Sequence, residues 1–224
     1  MAIIKNGANG TLSGKAGSVV FVTNGNTTYA RGLPKKTSKK PTSEQIVARS
    51  RFSIIQKFIS PILPFIRIGF KNYNPNKKAH SNAMSYNLNN GTEKTANGYR
   101  INYEDFRISK GSPNPITSFM FDLDRKNGTF TLSWEYDTSI ATQYQQDSSS
   151  CQIVLYNAEE MLISNVFANE SRNILKHKSQ SVELSETQHI GTYHIYVYFY
   201  KTNGSNECTD SKYLGTFEWQ KMET

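Results

Sequence analysis

Apolar positions in the first half of this chain recur at helical steps, and in the second half they alternate with polar ones. Ile46, Phe52, Ile55, Ile59 and Ile62 or Leu63 fall three, four or six residues apart, which predicts one face of a helix. Thr42 and Gln45 form the capping-box pair that opens it. Pro61 and Pro64 then break the element, because each lacks an amide and crowds the preceding turn. Ser60 is expected to cap a second short helix with Pro61 in its first turn. Asn74-Pro75 is expected to open a third helix through Leu88, with Ala79 and Ala83 on a narrow packing face. Upstream, Ser18 to Thr23 and Thr27 to Arg31 flank Asn24-Gly25-Asn26, the turn chemistry of a hairpin. Downstream, Asn90-Gly91 and Asn97-Gly98 precede Tyr99 to Ser109, which reads as a strand. Gly111-Ser112-Pro113-Asn114-Pro115 excludes a continuing helix or central strand and marks a domain boundary.

Beyond it, strand-length runs appear at Ser118–Asp122, Thr129–Tyr136, Cys151–Asn157, Ile163–Ala168, Ser181–Leu184, Tyr193–Tyr200 and Tyr213–Trp219. Seven short strands with turns between them predict an immunoglobulin-like or fibronectin type III-like sandwich. Trp134 stands where the second strand of such a fold places its core tryptophan, and Tyr193 resembles a tyrosine corner leading into the sixth strand. In that strand Tyr193, Ile195, Val197 and Phe199 share one face; His194, Tyr196, Tyr198 and Tyr200 share the other. One face builds the core. The tyrosine face suits either contact with a subunit or sugar, or cover by the chain's own N-terminal half. The expected class is therefore α+β, mainly β with a helical insert: residues 1–112 supply an arm, a hairpin and helices, and residues 113–224 the sandwich.

The opening, MAIIKNGANGTLSGKAG, holds glycines at 7, 10, 14 and 17 and little side-chain chemistry. Each glycine costs about 0.5–1 kcal/mol relative to alanine in a regular element, so a docking partner is needed to order them. A frayed leader is one reading. The sharper one is an arm in which Ile3, Ile4, Lys5, Gly7, Gly10, Gly14, Lys15 and Gly17 lie against another backbone, of this chain or of a second copy.

MAIIKNG, the Ser13 to Gly17 run S-G-K-x-G, Leu33-Pro34-Lys35-Lys36 and Pro41-Thr42-Ser43-Glu44-Gln45 together resemble an uncharacterised family of Bacteroidetes proteins known only as a domain of unknown function. The likeness continues through Ile68-Gly69-Phe70-Lys71 and Ala83-Met84-Ser85-Tyr86-Asn87, covering about the first 110 residues well and the remainder in outline. It implies a bacterial or phage source and no known enzymatic activity.

Charge changes this picture. Residues 1–110 carry 18 Lys and Arg against 4 Asp and Glu, whereas residues 111–224 carry 8 against 14. A basic half and an acidic half suit either an anion-binding module or copies joined head to tail. Lys35, Lys36, Lys39, Lys40, Arg49 and Arg51 are the candidate anion contacts, with nucleic acid as the possible partner. The start lacks the apolar core of a signal peptide, and Ile54 to Phe70 is too interrupted for a membrane span, so synthesis in the cytoplasm is expected, with virion assembly or a non-Sec route open. Cys151 and Cys208 are expected as free buried thiols.

Candidate chemistry is sparse. His80, His177, His189 and His194 lack metal-ligand spacing, the glycine run is no phosphate loop, and no G-x-S-x-G elbow occurs. Glu104-Asp105 has no evident partner carboxylate. No cofactor, metal or catalytic residue is expected. The expected function is a structural, self-assembling subunit, such as a surface filament or a phage tail component, that polymerises through its N-terminal arm. Nucleic-acid binding is the alternative, and carbohydrate binding through Tyr196, Tyr198 and Tyr200 the third.

Overall fold

The computed structural model describes residues 2–4, 10–24, 27–35, 40–96, 98–160, 162–164, 174–184, 190–205 and 207–220. The chain divides between Thr42 and Ser43 into two compact units.

The first unit is an antiparallel meander of β1 (Ala2–Ile4), β2 (Leu12–Ala16), β3 (Val19–Asn24) and β4 (Thr27–Gly32), in that spatial order. The expected hairpin is β3–β4, with Phe21 opposite Ala30. The glycine run is paired within its own chain: Ile3 lies opposite Ser13 and Gly14 opposite Phe21. Gly17 has φ +58° in the β2–β3 turn, and a Cβ there would meet nothing within 4 Å. Its glycine therefore serves a left-handed turn and not close backbone approach, which corrects that expectation at this position.

The second unit begins with α1 (Ser43–Ile59), which buries Ile55, Phe58 and Ile59. Pro61 lies between it and α2 (Leu63–Gly69), which carries Pro64 in its first turn, and the two axes differ by 93°. Ser60 does not cap α2: Ile62 holds that position without a side-chain bond, and the first-turn proline is Pro64. The third helix, α3 (Ala79–Asn90), also starts later than Asn74-Pro75 suggests. Asn74 is spent instead on a turn, its Oδ1 accepting from the Asn76 amide at 3.1 Å and its carbonyl from the Asn82 side chain at 3.0 Å. Ala83 is fully buried.

A hairpin of β5 (Thr92–Thr95) and β6 (Gly98–Ile101) follows. The strand expected to reach Ser109 stops at Ile101, because Asn102 Oδ1 accepts from the Glu104 amide at 3.2 Å and folds the chain into a turn. Phe106 and Ile108 then enter the core with the helices.

All seven expected strand positions downstream carry strands. They are β7 (Ile116–Asp124), β8 (Thr129–Tyr136), β9 (Ser150–Asn157), β10 (Leu162–Ser164), β11 (Ser179–Glu183), β12 (Gly191–Tyr200) and β13 (Lys212–Trp219), with α4 (Thr138–Gln143) between β8 and β9. Residues 165–168 of the fourth expected strand lie outside the described residues. The strands form two antiparallel sheets, ordered β11-β8-β7 and β10-β9-β12-β13. Ile116, Phe130, Leu132 and Trp134 from the first sheet meet Ile153, Leu155, Tyr193, Ile195, Val197 and Phe199 from the second in one core. Trp134 Nε1 donates to the Leu175 carbonyl at 3.0 Å, so the buried indole keeps its hydrogen bond.

A second core joins the other face of the larger sheet to the helices: Val154, Tyr156, Tyr196 and Tyr198 pack with Ile55, Phe58, Phe65, Phe70 and Phe106. Every residue of β9 is buried. Helices, four-stranded sheet and three-stranded sheet thus form three layers, and the middle sheet is covered on both faces. The segment from Lys110 to Ser112 stitches the layers together. Lys110 donates its amide to the Gly69 carbonyl at 3.0 Å, and Ser112 donates to that of Cys208 at 3.0 Å.

Candidate self-association surface

No described side chain of residues 1–42 is buried. Ile3 on β1 is exposed, as is every residue of β4, including Tyr29 and Arg31. Lys15 on β2 is exposed, Gly14 on β2 is half-buried, Gly10 precedes the strand and Gly17 follows it. Ile4 pairs with Leu12 through β1, while Lys5 and Gly7 lie outside the described residues. This unit contains seven Lys and Arg and no Asp or Glu. A sheet gains stability by covering an apolar face, at about 1.5–3 kcal/mol for each large side chain buried. Here Val19, Val20, Phe21 and Val22 on β3 are only half-buried.

The candidate anion contacts do not act as one set. Lys35, Lys40 and Arg49 are exposed, and Lys36 and Lys39 lie outside the described residues. Arg51 is committed to the fold. Its Nε donates to Thr92 Oγ1 at 2.8 Å, its Nη2 donates to the Leu88 carbonyl, and its guanidinium lies 4.7 Å from the Tyr99 ring centroid. Sequence reasoning also placed Ile46 and Phe52 on the core face of α1, yet both are exposed, with Val47 beside them. Burial begins only in the last turns of the helix, so its opening turns present apolar side chains to solvent.

The tyrosine face of β12 is not a surface patch. Tyr196 and Tyr198 are fully buried and Tyr200 is half-buried, because residues 55–106 cover them, the own-chain alternative. Tyr196 Oη donates to the Tyr103 carbonyl at 2.9 Å and Tyr198 Oη to that of Phe65 at 3.4 Å. Burial raises both phenol pKa values well above the ordinary range. A sugar cannot stack where the helices already pack, so the carbohydrate reading through this face falls.

His194 shares that face. Its imidazole stacks on Tyr103 and exchanges a 2.9 Å hydrogen bond with Tyr213 Oη, and desolvation lowers its pKa to about 4. Cys151 and Cys208 are free and buried, and burial pushes the Cys208 thiol up to about 12. Neither is poised as a nucleophile. Among the described residues, no three His, Cys, Asp or Glu side chains converge on a metal-sized site. Asp105 accepts from Asn102 Nδ2 at 2.7 Å, a local turn contact. A cleft of about 440 Å³ is lined by Tyr73, Tyr144, Phe199 and Cys208, and its Lys110 and Lys201 are each paired with a carboxylate, Asp210 and Glu207.

Among the described residues, no single helix is long and apolar enough to cross a membrane. No curated protein matches the chain. One family model, described as a family of unknown function (DUF6266), matches residues 10–215, from just before β2 to the middle of β13. That span takes in nearly the whole chain, and the protein belongs to this family of unknown function.

Proposed function

We propose that this chain is a non-enzymatic structural subunit that assembles with copies of itself through its N-terminal sheet. The observation that carries the reading is a four-stranded sheet without one buried side chain among its described residues. Such a sheet becomes worth ordering when a partner covers it. Charge supports a like partner, since a unit with seven bases and no acid complements the acidic residues 111–224 of another copy. Repetition of that contact is heterologous, so it builds rings, tubes or fibres, as in a bacterial surface filament or a phage tail or virion. The rigid part would be the three-layered body, whose sandwich we read as immunoglobulin-like or fibronectin type III-like. Three strands, β11-β8-β7, opposed to four, β10-β9-β12-β13, support that assignment.

Sedimentation and electron microscopy over a concentration series test the reading. The full chain is expected to assemble as concentration rises, and a variant lacking residues 2–17 is expected to stay monomeric with its far-ultraviolet spectrum otherwise kept. A full chain that is monomeric throughout removes the proposal. The same excess of bases also favours nucleic acid as a second reading. That reading predicts filter binding that weakens steeply with salt and with alanine at Lys35, Lys36, Lys39 and Lys40.

A further inference from the structure

We infer that the acceptor for a neighbour's N-terminal sheet is the outer edge of β7, with β4 of one copy adding as a strand beside β7 of the next. The inference rests on the self-assembly reading and gives it a specific contact.

β7 is an edge strand of nine residues, paired with β8 and with no other strand among the described residues. Proteins usually blunt so long an edge. The other long edge in the body, β13, exposes no large apolar side chain, and each edge has one carbonyl taken by a side chain: Glu218 by Arg125 Nη2 at 3.2 Å and Ile116 by Lys212 Nζ at 2.8 Å. The remaining edges are short: β10 spans three residues, β11 five, and β5 and β6 four each. On β7, Phe119 is 38% exposed and Met120 75% exposed. They are consecutive, so they project to opposite faces of the sheet. A partner lying on one face would cover only one of them. A strand added along the edge flanks both, and it also supplies the backbone partners that the edge lacks.

Charge selects the added strand. β7, β8 and β11 contain no lysine or arginine, and they carry Asp122, Asp124, Glu135 and Glu183. β4 edges a sheet whose unit contains no acid, and it exposes Tyr29 and Arg31. With Tyr29 set beside Met120, Arg31 falls beside Asp122 in a parallel pairing. In an antiparallel pairing it falls beside Ser118, the cross-strand neighbour of Glu135. Glu135 already pairs with Lys178, so charge favours the parallel pairing, which sets Arg31 beside Asp122.

Cysteine cross-linking tests the contact, since Cys151 and Cys208 are buried and leave an introduced thiol to react alone. Full-length Tyr29→Cys protein mixed with full-length Met120→Cys protein is expected to give a disulfide-linked heterodimer under mild oxidation. Ser181→Cys, on the opposite edge of the same sheet, is expected to give none. Met120→Lys places a charge at an exposed site, so the spectrum should persist while assembly is lost. If the wild-type chain assembles and Met120→Lys assembles equally well, the edge is wrong while self-assembly stands. If Met120→Cys links only to itself, β7 pairs with another β7 and this proposal is overturned. A wild-type chain that never assembles overturns the underlying reading as well.

Discussion

The imidazole of His194 lies flat against the phenol ring of Tyr103, with centroids 3.6 Å apart and planes 10° from parallel. Tyr103 comes from the turn after β6 and His194 from β12, so the stack joins the helical layer to the sheet. Tyr213 closes the other side through its 2.9 Å hydrogen bond. Burial opposes charge on the ring, and His194 is held neutral down to about pH 4 against an ordinary value of 6.5. The unfolded chain therefore binds a proton at His194 before the folded one does. Stability from this residue is complete above pH 6.5 and declines as pH falls toward 4.

Urea midpoints measured between pH 7.5 and 4.5 should accordingly fall for the wild type. His194→Phe keeps an aromatic ring but cannot take a proton, and its midpoint should fall less over the same range. Equal slopes would exclude this role.

Tyr196→Ala should cost about 3–5 kcal/mol, as for a buried aromatic truncated in a well-packed core. Tyr196→Phe removes only the bond to the Tyr103 carbonyl and should cost about 0.5–1.5 kcal/mol. Chemical denaturation gives both values. A stable Tyr196→Ala protein would mean that the helices do not cover this face.

Gly111 is required by close approach. A Cβ there would stand 1.9 Å from the Cys208 carbonyl oxygen, a backbone atom that cannot rotate away. The Gly111 amide also donates to Asp210 Oδ1 at 2.8 Å. Gly111→Ala should lower stability by about 3 kcal/mol, the upper end of overpacking penalties. Gly32→Ala, where a Cβ meets nothing within 4 Å, is the matched control and should leave the thermal midpoint of the body unchanged.

Arg51 and Arg49 should separate cleanly. Arg51→Ala loses hydrogen bonds from a charged donor and should destabilise by about 1.5–3 kcal/mol. Arg49→Ala, at an exposed site, should stay within about 0.5 kcal/mol. Arg51→Lys should not restore stability, since an ammonium cannot span Thr92 and Leu88 while lying over Tyr99. Thermal unfolding of the three variants checks this.

Sequence by itself determined the elements whose cause is local. Strand-length runs of apolar and aromatic residues between turn signals located all seven strands from β7 to β13, because both signals act within a few residues. Pro61 placed the break between α1 and α2, and the turn chemistry after Thr23 the pairing of β3 with β4, because backbone chemistry acts within a few residues. The two faces of β12 were also legible, as tyrosines against Ile195, Val197 and Phe199. What covers the tyrosine face was decided only by tertiary structure, since the helices that bury it lie roughly 110 to 140 residues earlier in the chain, and periodicity carries no such range. For the same reason the pattern could not tell that α1 buries its last turns and exposes its first, nor that Arg51 serves the fold while Arg49 faces water. Pairing of the glycine run with β3 likewise depended on the neighbouring strand. An amphipathic stripe states that a residue wants cover, and only the packed chain states what provides it.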